Sequence, residues 1–179
     1  MPPIFVWWIG GEEVDPDLLD DVRRQLALAF RRPAVVWHGA GRPDHAFDPR
    51  RKQHASAVVL RWLLEAGPPD GKVLGITDRD LFIPILTYVF GEAQLGGGAA
   101  VLSLARLQDD VARRGRRLLE DRVVKEAVHE VGHAFGLLHC HAPGCVMTRS
   151  PAVREVDDKG LELCADCRAQ IEATTQGAE

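Results

Sequence analysis

Residues 123–140 read Val123-Val124-Lys125-Glu126-Ala127-Val128-His129-Glu130-Val131-Gly132-His133-Ala134-Phe135-Gly136-Leu137-Leu138-His139-Cys140, and this stretch decides what must surround it. Val123, Val124, Ala127, Val128, Val131 and Ala134 recur at helical spacing, which predicts a helix over about residues 118–138 with these side chains inward. His129 and His133 are four apart, one turn up the same face, so both imidazoles can aim at one metal ion. Glu130 adjoins the first of them and reaches a water on that metal without binding the metal itself. A third ligand has to arrive from another direction. Gly136 permits a positive-φ turn that ends the helix, and His139 then swings back. Three neutral imidazoles leave zinc one open position, as a catalytic site needs. In that chemistry zinc activates a water and polarises a peptide carbonyl. Glu130 takes the proton and passes it to the leaving amine. The five fixed residues of HExxHxxGxxH arise by chance on the order of 10⁻⁴ per chain or less.

The next residue outward is Cys140, the first of four cysteines, with Cys145, Cys164 and Cys167. The spacing is C-x4-C followed by C-x2-C, and four thiolates close a tetrahedral zinc site that is saturated and therefore structural. Because Cys140 follows His139 directly, the two metal sites are expected to be mechanically coupled. His141 lies close by, but both sites are complete without it.

On the N-terminal side the chain reads as strands alternating with helices. Residues 4–9 (IFVWWI) form a buried-strand pattern stopped by Gly10 and Gly11. Asp15-Pro16 is a helix-start signal, and the helix runs to about Phe30 with Leu18, Leu19, Val22, Leu26 and Phe30 inward. Strands are expected at 34–38 and 72–76. A second helix is expected from Asp48-Pro49 to about Ala66. A strand near 88–90 and another at 99–104 flank Gly96, Gly97 and Gly98, which suggests a hairpin with one antiparallel member. Trp7, Trp8, Trp37 and Trp62 are expected in the core, and His38, His45 and His54 at the surface or in loops. Asp78 and Asp80 are read as caps of the segment that follows them. A short helix is expected in the tail after Asp157, with the last few residues frayed. The fold class is therefore mixed α/β: a mixed, twisted sheet with one antiparallel edge strand, covered by helices.

Bulk properties agree with one globular domain over residues 1–179. The 179 residues are 46% hydrophobic and 27% charged, with a formal net charge of −4, which argues against a nucleic-acid partner. Arg113, Arg114, Arg116 and Arg117 form a basic cluster flanked by acidic residues, read as a solvated helix face. No apolar run is long enough to span a membrane, and no secretory signal is visible, so a cytoplasmic location with reduced cysteines is expected.

Residues 129–167 resemble the archaemetzincin family of metzincin metallopeptidases, whose pattern HExxHxxGxxHCxxxxCxM followed by CxxC is matched at His129, Glu130, His133, Gly136, His139, Cys140, Cys145, Met147, Cys164 and Cys167. The segments around Thr77-Asp78-Arg79-Asp80-Leu81, Phe90-Gly91-Glu92-Ala93 and Ser103-Leu104-Ala105-Arg106-Leu107 resemble it too. Leu163 departs from it, standing where an aromatic often precedes CxxC. The resemblance implies a metzincin-like domain with a part at 1–139 that carries the active-site helix and a smaller part at 140–179 stabilised by zinc. It implies Met147 as the Met-turn residue beneath the metal, a second zinc on the four cysteines, and substrate lying along an edge strand between Tyr88 and Gln94. The expected function is zinc-dependent peptide hydrolysis, on small peptides or chain ends, by a chain favoured as a monomer. With little sequence ahead of Ile4 to act as an inhibitory segment, a narrow substrate range or low activity is expected. The alternative is a zinc-stabilised peptide-binding module with little or no turnover; the intact Glu130 argues against it.

Overall fold

The computed structural model describes residues 2–176, and the fraying expected of the last few residues lies outside that range. In chain order the elements are β1 (Ile4–Trp8), α1 (Pro16–Phe30), β2 (Ala34–Trp37), a 3-10 turn (Asp44–Ala46), β3 (Phe47–Asp48), β4 (Gln53–Ala55), α2 (Ser56–Ala66), β5 (Lys72–Thr77), β6 (Leu81–Phe82), β7 (Gly91–Ala93), β8 (Ala99–Ser103), α3 (Val111–Arg114), α4 (Arg116–Ala134), α5 (Val153–Asp158) and α6 (Ala165–Gln176).

The main sheet has strand order β2-β1-β5-β8-β7. All its pairings are parallel except β7 with β8, which is antiparallel. The mixed sheet with one antiparallel edge is thus present. Its central strands are apolar on both faces because helices cover both. Ile4 and Val6 of β1, Leu74 and Ile76 of β5, and Ala100 and Leu102 of β8 share a core with α1 and α4. The alternate residues Trp7, Ile9, Val73, Ala99 and Val101 pack on Val59, Leu60 and Leu63 of α2. This two-residue alternation places α4, the longest helix, against the face of β8 and beside the edge strand β7.

Where the chain departs from the sequence-based reading, tertiary partners explain it. Asp48-Pro49 starts a turn rather than a helix: the Asp48 carboxylate accepts from the backbone N–H groups of Arg50 and Arg51, and α2 begins only at Ser56. A small sheet of order β3-β4-β6 fills the segment expected to be loop and early helix, and it buries His54, which was expected at the surface. The edge strand begins three residues later than expected, because Val89 bridges to Leu81 and Phe90 is buried. Asp78 accepts from the N–H groups of Gly11 and Glu12, and Asp80 holds Arg106 and Gln53, so both tie loops together rather than cap. Trp7 is core and stacks on Trp62, whereas Trp37 lies exposed on the outer strand. The basic cluster is solvated and salt-bridged, with Arg116 pairing to both Asp15 and Glu120. The tail holds α5 and α6.

Candidate active site

Helix α4 ends one residue before Phe135, and its end sets the site. Leu137 N–H donates to Gly132 O (3.0 Å) and Gly136 N–H donates to His133 O (2.8 Å), with Gly136 at φ 94°. This is a Schellman termination, and its left-handed residue is the glycine expected to turn the chain. The reversal carries Leu137 O back under the helix, where it contacts His133 Nδ1 at 2.7 Å. It also brings His139 alongside His129 and His133, with ring centroids 5.3 and 4.9 Å away.

The three histidines meet with their ligand atoms all within 4.8 Å of one another. His129 Nδ1 lies 2.9 Å from Val146 O and His133 Nδ1 2.7 Å from Leu137 O, so each Nδ1 carries the proton and each Nε2 presents a lone pair. Those two Nε2 atoms are 3.1 Å apart. Two facing lone pairs at that distance repel unless a cation joins them, and two nitrogens bound tetrahedrally to zinc at about 2.1 Å sit roughly 3.4 Å apart. Burial lowers the pKa of all three imidazoles, that of His129 furthest, with the charge of Lys159 adding to the effect there. Lys159 Nζ lies 3.3 Å from His129 Nδ1. That nitrogen cannot accept from lysine while donating to Val146 O, and the shorter contact wins. Lys159 is therefore a fixed charge that keeps the ring neutral and ready for a metal.

Glu130 faces the same cleft. Burial raises its pKa well above the usual carboxylate range, Glu126 and Glu92 adding and Lys159 opposing. A buried carboxylate with a raised proton affinity is suited to general-base work. Beneath the histidines, Met147 is fully buried and its sulfur packs on Gly132, where an added Cβ would lie 2.5 Å from Sδ.

The four cysteines converge as expected, with Sγ atoms within 4.8 Å of one another. Cys140 to Cys164 is 3.7 Å and Cys145 to Cys167 is 3.8 Å. Thiolates on one tetrahedral zinc at 2.3 Å lie roughly 3.8 Å apart, so the donors fit that ion. A hydrogen bond from the Cys167 backbone leads in pulling the Cys164 thiol down to about 7. Cys140 N–H donates to Met147 O (3.0 Å), which ties the cysteine cluster to the methionine under the histidines. His141 belongs to neither cluster.

A protein-family model described as Peptidase family M54 matches residues 71–173. The chain belongs to peptidase family M54. Relatives of this M54 chain include the archaemetzincin of Archaeoglobus fulgidus, 42% identical over 164 residues, 92% of this chain and 97% of that one. The crystal structure of the archaemetzincin of Methanopyrus kandleri superposes with a TM-score of 0.85 at 30% identity, covering 98% of this chain and 96% of the other. A zinc-dependent peptidase from Methanocorpusculum labreanum superposes at 0.80 and 31% identity, over 94% and 99% of the two chains. The fold is thus that of the archaemetzincins. The M54 chain is a zinc metallopeptidase, a hydrolase whose substrates are peptides or proteins.

Several contacts of this M54 site are visible only in the fold. Gly91 opens the edge strand, and a Cβ there would lie 2.6 Å from Glu130 Cγ and 2.6 Å from Val101 O. Glu126, one turn before His129, lies 2.6 Å from Lys159 Nζ with both side chains at most 4% exposed. The pair lacks hydrogen-bond alignment, which leaves Glu126 Oε1 without a sound donor. The cleft, about 300 Å³, is also lined by Leu86, Tyr88 and Arg149. Glu126 lay in plain view at i−3 from His129; nothing in sequence marked its partner, 33 residues away.

Proposed function

We propose that this metallopeptidase hydrolyses peptide bonds at the histidine cluster, with His129, His133 and His139 as zinc ligands and Glu130 as general base. The observation that carries this reading is the pair of Nε2 lone pairs aimed at one point, 3.1 Å apart, at the cleft that His129, His139 and Glu130 line. When bound, zinc supplies a Lewis acid that polarises a carbonyl and acidifies water. The chain's own groups do the rest. The carbonyls of Val146 and Leu137 hold the His129 and His133 rings in the ligating tautomer. Glu130 accepts the proton at its carboxylate and returns it to the leaving amine. Substrate backbone adds to the outer edge of β7, within residues 88–94, as a further strand.

Cys140, Cys145, Cys164 and Cys167 hold a second, structural zinc, which makes two ions per chain. Met147 is the Met-turn residue, floor to the first site. Residues 1–139 and 140–179 form one domain in two parts, the second stabilised by its zinc. Short peptides or chain ends are the substrates, and the chain works as a monomer in the cytoplasm without a nucleic-acid partner. No described helix is long and apolar enough to cross a membrane.

The test is a mixed-sequence peptide library digested by the zinc-loaded protein and read by mass spectrometry, beside Glu130→Ala. Cleavage by the wild type alone is expected, and the product ends then report the position of the cut. Equal cleavage by both proteins overturns the role of Glu130. Metal analysis of the purified chain should return two zinc ions, falling to one in His133→Ala.

A further inference from the structure

Of the basic side chains around the cleft, Arg149 is the one that no neighbouring carboxylate or carbonyl engages among the described residues. Glu126 is paired with Lys159, and Glu92 is turned back to the Ser56 hydroxyl. Arg106 is engaged by Asp80 while lying over the Tyr88 ring. Arg51 donates to Leu86 O and Thr87 O and lies over Phe82. Arg149, two residues after Met147, is exposed, lines the cleft with His139 and Glu130, and has no ion-pair partner among the described residues. It sits close enough to His139 that its charge helps hold that ring neutral, behind burial and His133.

A guanidinium at the open side of a catalytic cleft is a ready partner for a carboxylate, which it takes through two parallel N–H···O bonds. The cleft is small, at the low end of ligand pockets, about 300 Å³. Each residue of an extended peptide spans at most about 3.6 Å. A carboxylate on Arg149 and a carbonyl at the histidines therefore belong to one short stretch of substrate.

We propose that Arg149 is the specificity-determining residue of this cleft and selects substrates that carry a carboxylate within a residue or two of the scissile bond. The inference rests on the peptidase reading of the histidine site. Two sources supply that carboxylate, a free C-terminus and an Asp or Glu side chain. Because Arg149 is exposed and screened, its preference amounts to about tenfold rather than thousands.

The experiment gives the zinc-loaded protein, Arg149→Ala and Arg149→Lys two matched sets of peptides. One set differs only in a C-terminal acid or amide, the other only in an internal Glu or Gln. The wild type is expected to show kcat/KM about tenfold higher on the acid member of one set. That ratio falls to about one in Arg149→Ala and is partly kept in Arg149→Lys. The responsive set identifies the source. Equal rates within both sets, or a preference that survives Arg149→Ala, overturns the proposal; a merely structural role would lower both members together. A failure of the peptidase reading would silence these rates, so the same peptides are titrated into zinc-loaded Glu130→Ala by calorimetry. Tighter binding of the acid member, lost on adding Arg149→Ala, upholds the proposal without turnover. Equal binding of acid and amide overturns it.

Discussion

At the scale of single residues, the site depends on positions where a side chain would be in the way or where a charge is trapped. Gly91 has its backbone against Glu130, so Gly91→Ala must move either the edge strand or the Glu130 side chain, the proposed general base. A displacement of about 1 Å in a catalytic group costs on the order of 100-fold. Gly91→Ala is expected to lower kcat by at least about tenfold while zinc content stays at the wild-type value, checked by steady-state kinetics beside metal analysis. Loss of zinc along with activity would show instead that the substitution acts on the ligands. The Glu126–Lys159 pair is the opposite case, two charges sealed under the cleft with side chains 4% and 2% exposed. Removing one partner strands the other, which costs about 3–5 kcal/mol, whereas replacing both with apolar groups is often neutral. Lys159→Met is therefore expected to lower the urea midpoint sharply, and Glu126→Leu with Lys159→Met to recover most of it. A double variant as unstable as the single one would mean that the lysine stabilises through its position beside His129, not through the glutamate.

At the scale of elements, the end of α4 is where local sequence rules and the site coincide. Gly136 at φ 94° adopts a conformation that costs an L-residue about 1–2 kcal/mol. Gly136→Ala either pays that strain or lets the helix run on, and the second outcome carries His139 away from the other two histidines. The expected result is weaker zinc binding at the histidine site, measured by competition with a chelating dye, with the cysteine site unaffected. Wild-type affinity would show that the following loop, not the glycine, places His139. This element was readable in the sequence because everything it needs is local: two histidines four apart, a glutamate between them, and a glycine where the helix must stop. The buried strands were readable for the same reason, since runs such as Val73, Leu74 and Ile76 fit a parallel sheet covered on both faces. What failed was set at a distance. Asp48-Pro49 carries a helix-start signal, yet its carboxylate closes a turn, because residues 53–55 are taken up by pairing with the distant β6. The close fit of Gly91 to Glu130 and the partnership of Glu126 with Lys159 exist only once strand, helix and tail are assembled. Arg149 has no motif to announce it, and its place at the mouth of the cleft exists only in the fold.

At the scale of the whole molecule, the C-terminal segment is held to α4 by more than the cysteines. Arg122, within α4 and only 2% exposed, donates to both carboxylate oxygens of Asp157 at 2.7 and 2.8 Å, and also to Leu107 O and Asp109 O. The last turn of α5 is thus clamped to α4 seven residues before His129. Hydrogen bonding to Arg122 is the leading cause of a lowered pKa at Asp157. The sign follows from linkage: a carboxyl whose pKa is depressed in the folded state contributes stability that is present above its unfolded value, about 3.9. That contribution is lost as pH falls from there through the folded value. Acidification below about pH 4 therefore erodes the stability that the clamp contributes, and the clamp itself opens only once the depressed folded value is passed. A charge-assisted pair of this kind is worth about 2 kcal/mol. Urea midpoints of the wild type and Asp157→Asn at pH 6 and pH 3 make the comparison. The variant is expected to be less stable by about 2 kcal/mol at pH 6, and the gap is expected to narrow at pH 3, below the unfolded carboxyl's value, where the unfolded chain takes up the proton first. A gap of the same size at both pH values would mean that Asp157 acts through shape rather than charge, and that the tail is held to α4 by its cysteine cluster and packing alone.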